Sequence, residues 1–264
     1  MKKIIGLLSV VIMFGLTGYS LFFSPGASRA DQKATTTQTT EQTTQSSHQT
    51  QKAAKKKSEK SDLPSAKPTD WDLTLVGPKD KIQTELKDDQ LALLSDGSHQ
   101  VDQRIAKSYE AFSAAATKAG FPLVVISAFR SVASQQEVFD NNVYALMSSD
   151  GLSEKAATKK TKETITVPGY SEHHTGLALD VVDQNWYNNY PTQVLDAAYG
   201  NEPGAKWIAK NAPTYGFIIR YPKNCEDITG ITYEPWHIRY VGKKNAQYIT
   251  KHNLTLEEYL NKLK

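Results

Sequence analysis

The stretch "GYSEHHTGLALDVV", residues 169–182, places one carboxylate, Asp180, in a run that is otherwise apolar. Alternate side chains of a strand face opposite sides, so Leu177, Leu179 and Val181 share one face. Apolar residues also flank Asp180 on the other face, which predicts a strand buried on both sides. A buried carboxylate without a partner is costly. Asp180 therefore pairs with a basic side chain, caps a turn or binds a metal, and this segment alone leaves the three open.

Two further pieces of sequence carry candidate partners for Asp180. His173 and His174 precede it, and "TYEPWHIRYVG" places Glu234 three residues before His237, with a proline between them. The proline disfavours a helix and favours a turn that enters a strand. A catalytic zinc ion uses three protein ligands, an open position and a nearby carboxylate base. One of the two adjacent histidines, with Asp180 and His237, would supply the ligands and leave Glu234 as the base; spacing does not choose between the histidines.

An arginine follows another predicted buried strand, in "VVISAFRS". Arg130 lies where that strand passes into a helix. Its guanidinium could form a surface or core ion pair, or it could bind a carboxylate through two parallel hydrogen bonds. Gln136 follows six residues later, near enough along the predicted helix to share a pocket with Arg130.

Hydrophobic spacing and capping residues predict the remaining elements. The helix over 101–120 has Ile105, Tyr109, Phe112 and Ala116 at helical spacing and ends at Gly120. The other predicted helices are 131–151 and 153–164, 204–216 with an interruption near Pro213, and 243–253 and 254–264; the predicted strands are 121–129, 177–182, 217–221 and 235–241. Because strands and helices do not alternate regularly, we expect an α+β fold rather than a doubly wound sheet.

The N-terminal part of the chain differs from the rest. Residues 1–30 hold a basic start, an apolar run of about 20 residues and small residues near 28–30, which predicts either a cleaved signal peptide or a retained membrane anchor. Residues 31–68 contain 19 Thr, Ser or Gln and no aromatic residue, which predicts a disordered tether. We therefore expect an exported protein, extracellular and associated with the cell wall or membrane, whose folded domain spans 69–264.

Charge and cysteine content limit the partners that the domain can bind and the crosslinks that it can form. Removing the ten basic and four acidic residues of 1–68 from the totals of 31 and 28 leaves 21 basic and 24 acidic residues in 69–264. The domain is not basic, so we expect no nucleic-acid partner. The basic run "KAAKKKSEK" in the tether is compatible with an anionic wall or membrane surface, or with a solvated tail. Cys225 is the single cysteine, so no intrachain disulfide can form.

The motifs together resemble a known family. "SEHHTGLALD" fits S-x-H-x-x-G-x-A-x-D, "EPWHIRY" fits E-x-W-H-x-R-Y, and "SAFRS" precedes both. In this order they resemble the VanY-type zinc D-alanyl-D-alanine carboxypeptidases, including related L,D-carboxypeptidases of peptidoglycan, over roughly residues 70–250. One position departs from the family, since Phe129 stands where it often has tyrosine.

The resemblance implies a fold and a role for each site residue. The fold is a single compact zinc-peptidase domain with a central antiparallel sheet flanked by helices. His173, Asp180 and His237 would bind Zn²⁺, and Glu234 would be the catalytic base. Substrate binding would fall to Arg130, Gln136 and Ser171.

The implied reaction is removal of the terminal D-Ala from peptidoglycan stem peptides. We expect a D,D-carboxypeptidase that acts on pentapeptide stems and functions as a monomer. The alternatives are an L,D-carboxypeptidase that acts on tetrapeptide stems, and an inactive zinc domain that binds cell-wall peptides. The sequence does not decide between the two bonds, because pocket shape determines which one is cut.

Overall fold

A computed structural model describes residues 62–264 of the chain. The predicted signal peptide or anchor, 1–30, and residues 31–61 of the predicted tether lie outside the described residues and stay predictions. Within the described part, no helix is long and apolar enough to cross a membrane. Leu63 and Ala66, which belong to the last part of the predicted tether, pack against apolar residues of the folded domain.

The domain combines helices with antiparallel strands, as the sequence predicts. The strands are β1 (Leu91–Leu93), β2 (Gln100–Asp102), β3 (Leu123–Ser127), β4 (Ala178–Asp183), β5 (Phe217–Tyr221) and β6 (Glu234–Tyr240). The α-helices are α1 (Gln103–Lys118), α2 (Val132–Asp150), α3 (Glu154–Thr161), α4 (Gln184–Asn189), α5 (Pro203–Tyr215), α6 (Glu226–Thr229), α7 (Lys243–Lys251) and α8 (Leu256–Leu263). The hairpin β1–β2 and the short helices α4 and α6 were not expected from the sequence.

The central sheet has four strands in the order β3-β4-β6-β5, and every neighbouring pair is antiparallel. This confirms the α+β fold with a central antiparallel sheet. β4 is buried along its whole length, as its apolar sequence predicts. The register places Asp180 opposite Ser127 on one side and opposite His237 on the other. Three neighbouring strands therefore place the polar side chains of Ser127, Asp180 and His237 in one row of the sheet.

The two faces of the sheet differ in character. One face carries Leu179, Val181 and Ile238, which pack in a large apolar core with α1 and α5. The four residues of α1 predicted to be buried are all buried, and Phe112 at its centre is stacked against Trp207 and Phe217. The register places Asp180, His237 and Arg239 together on the opposite face. The catalytic candidates thus stand on a sheet whose other side is anchored by apolar packing.

Helix α5 corrects one expectation. The helix runs through Pro213 to Tyr215 and ends at Gly216, which has a φ of +94°, so it is not interrupted near the proline. Pro213 lies in the last turn of the helix. A proline there lacks the N–H that would donate within the helix, and its ring crowds the carbonyl four residues earlier; the helix ends two residues later.

Candidate active site

Three buried side chains from separate segments converge in the row described above. His173 lies on a 3-10 helix, Glu172–Thr175, while Asp180 lies on β4 and His237 on β6. One ligand atom from each of these three residues lies within 4.8 Å of the other two. The structure therefore brings together the three residues predicted to bind a metal. Two imidazoles and a carboxylate, all buried, match the donor set of a catalytic zinc site.

The hydrogen bonds of His173 determine which of its nitrogens faces this centre. Its Nδ1 lies 2.8 Å from the carbonyl oxygen of Ala128, and its Nε2 lies 3.2 Å from Oδ2 of Asp180. A carbonyl oxygen only accepts, so Nδ1 carries the proton and Nε2 presents its lone pair to the centre.

His174, the adjacent histidine, serves a different part of the site. Its Nδ1 donates to the carbonyl oxygen of Arg130 at 2.6 Å, and its Nε2 accepts from the N–H of Gly169 at 3.1 Å. Both ring nitrogens are used by the backbone, so His174 is not available as a ligand. Burial, opposed by the bond to Arg130, lowers the pKa of His174, which favours the neutral ring that this pair of bonds requires.

Glu234 stands at the start of β6, beside the three ligands. Its Oε2 lies 3.7 Å from Nδ1 of His237. Burial, opposed by His237 and assisted by the nearby carboxylates of Asp180 and Glu172, raises the pKa of Glu234 to about 7. A carboxyl group with a pKa near neutrality can both take and return a proton, which suits a general base.

Arg130 is tied to the same row of the sheet. Its Nη2 donates to Oγ of Ser127, and its Nη1 donates to Oε1 of Gln135, each at 2.8 Å. A register shift in β3 between Val125 and Ser127 sets Ser127 opposite Asp180. Arg130 is thus held beside the end of β3, the strand that neighbours Asp180, and its guanidinium still has donors for a substrate carboxylate.

The structure does not bring Gln136 into this pocket. Its side chain is exposed and donates to Oδ1 of Asp140, one turn later on α2. Gln135 takes the place predicted for Gln136: it is buried and links Arg130 to the backbone carbonyl of Thr166. Neighbouring residues of a helix point about 100° apart, so only one of the two glutamines can face Arg130. Ser171 is buried directly before the 3-10 helix that carries His173.

Sequence reasoning also missed a buried charged network behind the site. Glu172 is fully buried, and its carboxylate is bonded by Arg220, Arg239 and His237. Burial alone would raise the pKa of Glu172, but Arg220 and Arg239 outweigh it and hold the pKa below its ordinary range. The signal was present: both arginines interrupt apolar strands, "FIIRY" and "PWHIRYV", and a buried charge requires a partner just as Asp180 does.

Comparison with known proteins is consistent with this geometry. The family model VanY, D-alanyl-D-alanine carboxypeptidase, matches residues 98–243, more than half of the chain. The chain belongs to the VanY family. The matched region contains every residue of the candidate site.

Known carboxypeptidases resemble the chain at moderate identity. A D-alanyl-D-alanine carboxypeptidase of Enterococcus faecalis is 35% identical over 192 residues, which cover 73% of this chain and 66% of that protein. The chain spans about half to two thirds of the length of the first curated relatives that it matches.

Two solved structures share the fold of this chain. A mutant of the vancomycin resistance D,D-pentapeptidase VanY from a VanB-type cassette, in complex with Zn(II), has a TM-score of 0.59 and 36% identity, and covers 73% of this chain and 100% of that one. The LD-carboxypeptidase LdcB has a TM-score of 0.60 and 36% identity, and covers 72% of this chain and 86% of that one.

Proposed function

We propose that this chain is a zinc-dependent carboxypeptidase that removes the terminal D-Ala from peptidoglycan stem peptides, with pentapeptide stems as the favoured substrate. The observation that carries the proposal is the convergence of His173, Asp180 and His237 within 4.8 Å, with Glu234 beside them. The Zn(II) complex of the related VanY enzyme and the name of the Enterococcus faecalis relative support the same metal and reaction.

The residues divide the reaction between them. When bound by His173, Asp180 and His237, zinc supplies a Lewis acid that polarises the scissile carbonyl and makes water more acidic. Glu234 accepts a proton from the attacking water and returns it to the amine of the departing D-Ala. Arg130 binds the C-terminal carboxylate of the peptide, so that only the last residue lies at the reacting centre.

One alternative rests on a specific observation, and a second stays open from the sequence. LdcB, an LD-carboxypeptidase, is as similar in fold and identity as the D,D-enzyme, which favours an L,D-carboxypeptidase acting on tetrapeptide stems as the second candidate. An inactive zinc domain that binds wall peptides is the third. The base position is occupied by Glu234, and this favours an active enzyme over the binding domain.

We further propose that the protein acts outside the cytoplasm as a monomer, at the cell wall or membrane, with no nucleic-acid partner. Stem peptides are its substrates in that compartment. The predicted tether, 31–68, would let the domain reach them, and its basic run would favour an anionic wall or membrane surface.

The proposal is tested by mass spectrometry of the zinc-loaded chain with synthetic muropeptides that end in tetrapeptide or pentapeptide stems. Loss of one D-Ala from the pentapeptide alone supports the D,D-enzyme. Loss from the tetrapeptide alone establishes the L,D-enzyme, with the same residue roles. If a folded, zinc-loaded sample cleaves neither stem but still binds it, the chain is a binding domain and the carboxypeptidase assignment fails.

A further inference from the structure

Glu172 is the most completely buried acid that contacts the candidate ligands. Its side chain has no exposed surface, and each oxygen has a defined partner. Oε1 accepts from Nε of Arg220 at 2.6 Å and from Nη1 of Arg239 at 2.7 Å, while Oε2 lies 3.2 Å from Nε2 of His237. The two arginines therefore fix one oxygen of the carboxylate, and the other faces a predicted metal ligand.

This contact determines the state of the His237 ring. An ionised carboxylate only accepts hydrogen bonds, so Glu172 keeps a proton on Nε2 of His237. Asp180 accepts from Nδ1 in the same way, and a metal ion can replace only the proton on Nδ1, because that nitrogen faces the other candidate ligands. The opposite nitrogen, Nδ1, lies 2.9 Å from Oδ1 of Asp180 and faces the metal candidates. In His173 the roles of the two nitrogens are reversed, because Nδ1 keeps its proton in the hydrogen bond to the carbonyl oxygen of Ala128. The two histidines thus present opposite nitrogens to one centre.

The arginines are themselves anchored at both ends of the domain. Nη2 of Arg239 donates to the carbonyl oxygens of Asp72 and Thr74, near the N-terminal end of the described residues. Arg220 forms two hydrogen bonds, of 2.9 and 2.7 Å, with the carboxylate of Glu257 on the last helix, α8. Planar pairs of this kind fix orientation as well as distance. Glu172 is consequently held in place by packing far from the centre that it touches.

We propose that Glu172 is a positioning residue for the metal centre, and that its carboxylate holds His237 in the tautomer whose Nδ1 binds the ion. This inference rests on the proposed zinc site and deepens it. A histidine that binds a metal commonly donates its other N–H to a carboxylate, which fixes the ring and makes it a better ligand. The competing explanation is that Glu172 only neutralises two buried arginines; in that case it affects stability and leaves metal binding unchanged.

The first experiment measures zinc affinity of the full chain by competition with a chromophoric chelator. In Glu172→Gln the two arginines claim the amide oxygen, so the amide NH₂ group faces Nε2 of His237. Two donors then oppose each other, and the ring turns to the tautomer whose Nδ1 is protonated and cannot bind the ion. We expect zinc affinity to fall about 10–100-fold, the range found when such outer partners are removed.

Asp102→Asn is the matched control. Asp102 is also a nearly fully buried carboxylate; its side chain pairs with Arg104 and caps α1 through Arg104 N, and none of these bonds involves the three ligands. Its backbone N–H donates to the carbonyl oxygen of Gly176, and the substitution leaves that bond in place. We expect this variant to melt at a lower temperature and to keep the zinc affinity of the unmutated chain. Unchanged affinity in Glu172→Gln, or an equal loss in both variants, would overturn the proposal.

A second measurement needs no substitution and covers the case in which Glu172→Gln does not fold. Nitrogen-15 NMR of the zinc-loaded, unmutated chain distinguishes metal-bound from protonated ring nitrogens. We expect His237 to bind through Nδ1 with Nε2 protonated, and His173 to show the reverse. Binding of His237 through Nε2 would overturn the role of Glu172 while leaving the proposed function intact. A chain that binds no zinc would overturn both.

Discussion

The consecutive side chains of a single 3-10 turn, Glu172–Thr175, contact different parts of the site. Glu172 contacts His237, and His173 faces Asp180. His174 turns away and bonds the backbone of Arg130. A tight turn points consecutive side chains in different directions, so neighbouring residues reach partners on different strands. Two adjacent histidines therefore have unrelated roles, and substitutions should separate them.

We expect His174→Ala to raise KM for the stem peptide about tenfold while zinc affinity stays unchanged. The variant removes two buried hydrogen bonds, each worth about 0.5–1.5 kcal/mol, one of which holds the segment that carries Arg130. A loss of about 1.4 kcal/mol in carboxylate binding corresponds to that factor of ten. Steady-state kinetics and chelator competition provide the measurements. His173→Ala is the contrasting variant and should lose zinc binding; equal zinc loss in both would refute the division of roles.

Glu234→Gln separates the base from the ligands. Amide and carboxylate have the same shape, but the amide cannot accept a proton at neutral pH. We expect kcat/KM to fall about 10²–10⁴-fold, the usual contribution of a general base, with zinc affinity retained. Cleavage assays of the zinc-loaded variant check this, and equilibrium binding of the uncleaved stem peptide shows whether the pocket survives. Cleavage at the original rate would exclude Glu234 as the base.

At the scale of elements, the rotation of α2 about its axis decides which glutamine faces Arg130 and supports it. The sequence predicted the helix and its cap correctly: Ser131 accepts from the N–H of Ser134 at the N-terminus. It did not predict which face of α2 is buried, because the apolar residues of α2 are spread around the helix and both glutamines follow Arg130 closely. Gln135 faces inward and Gln136 outward.

Substituting each glutamine tests which of the two supports Arg130. Gln135→Ala should raise KM and destabilise the domain by about 1–3 kcal/mol, because it leaves the partly buried guanidinium of Arg130 and the Thr166 carbonyl with one partner fewer. Gln136→Ala should change stability by no more than about 0.5 kcal/mol, as expected for an exposed side chain. Thermal unfolding and steady-state kinetics of the two variants check the pair. A larger effect of Gln136→Ala would restore the original prediction for that residue.

The same contrast explains what the sequence could and could not predict. Strong local patterns, such as the spacing of Ile105, Tyr109 and Phe112 or the apolar run around Asp180, predicted elements and their buried faces. Hydrogen-bonded pairs of residues that lie far apart in sequence were harder to predict. Glu172 bonds Arg220 and Arg239, 48 and 67 residues away, and no local pattern links them. The three candidate metal ligands could be named from the sequence only because a family motif, rather than spacing, selected His173 over His174; their role as ligands stays a prediction.

At the scale of the whole molecule, the charged network joins the two ends of the described domain behind the sheet. Arg239 holds the segment around Asp72, and Arg220 holds Glu257 on the closing helix. Both arginines bond the same oxygen of Glu172. The metal candidates therefore rest on contacts that exist only when the N-terminal and C-terminal parts of the domain are folded together.

This arrangement makes zinc binding a property of the folded chain, and its removal should lower stability measurably. His173 and His237 lie on a turn and a strand far apart in sequence, so the unfolded chain does not assemble the site. A ligand that binds only the folded state stabilises it by about 4 kcal/mol when its concentration is 1,000 times Kd. For a domain of this size that corresponds to roughly 8–16 °C in melting temperature. We expect calorimetry to show this decrease when a chelator removes zinc from the full chain.

His237→Ala, which lacks one ligand, is the control and should melt at nearly the same temperature with zinc or with chelator. If the unmutated chain also melts identically under both conditions, the three residues do not form a zinc site.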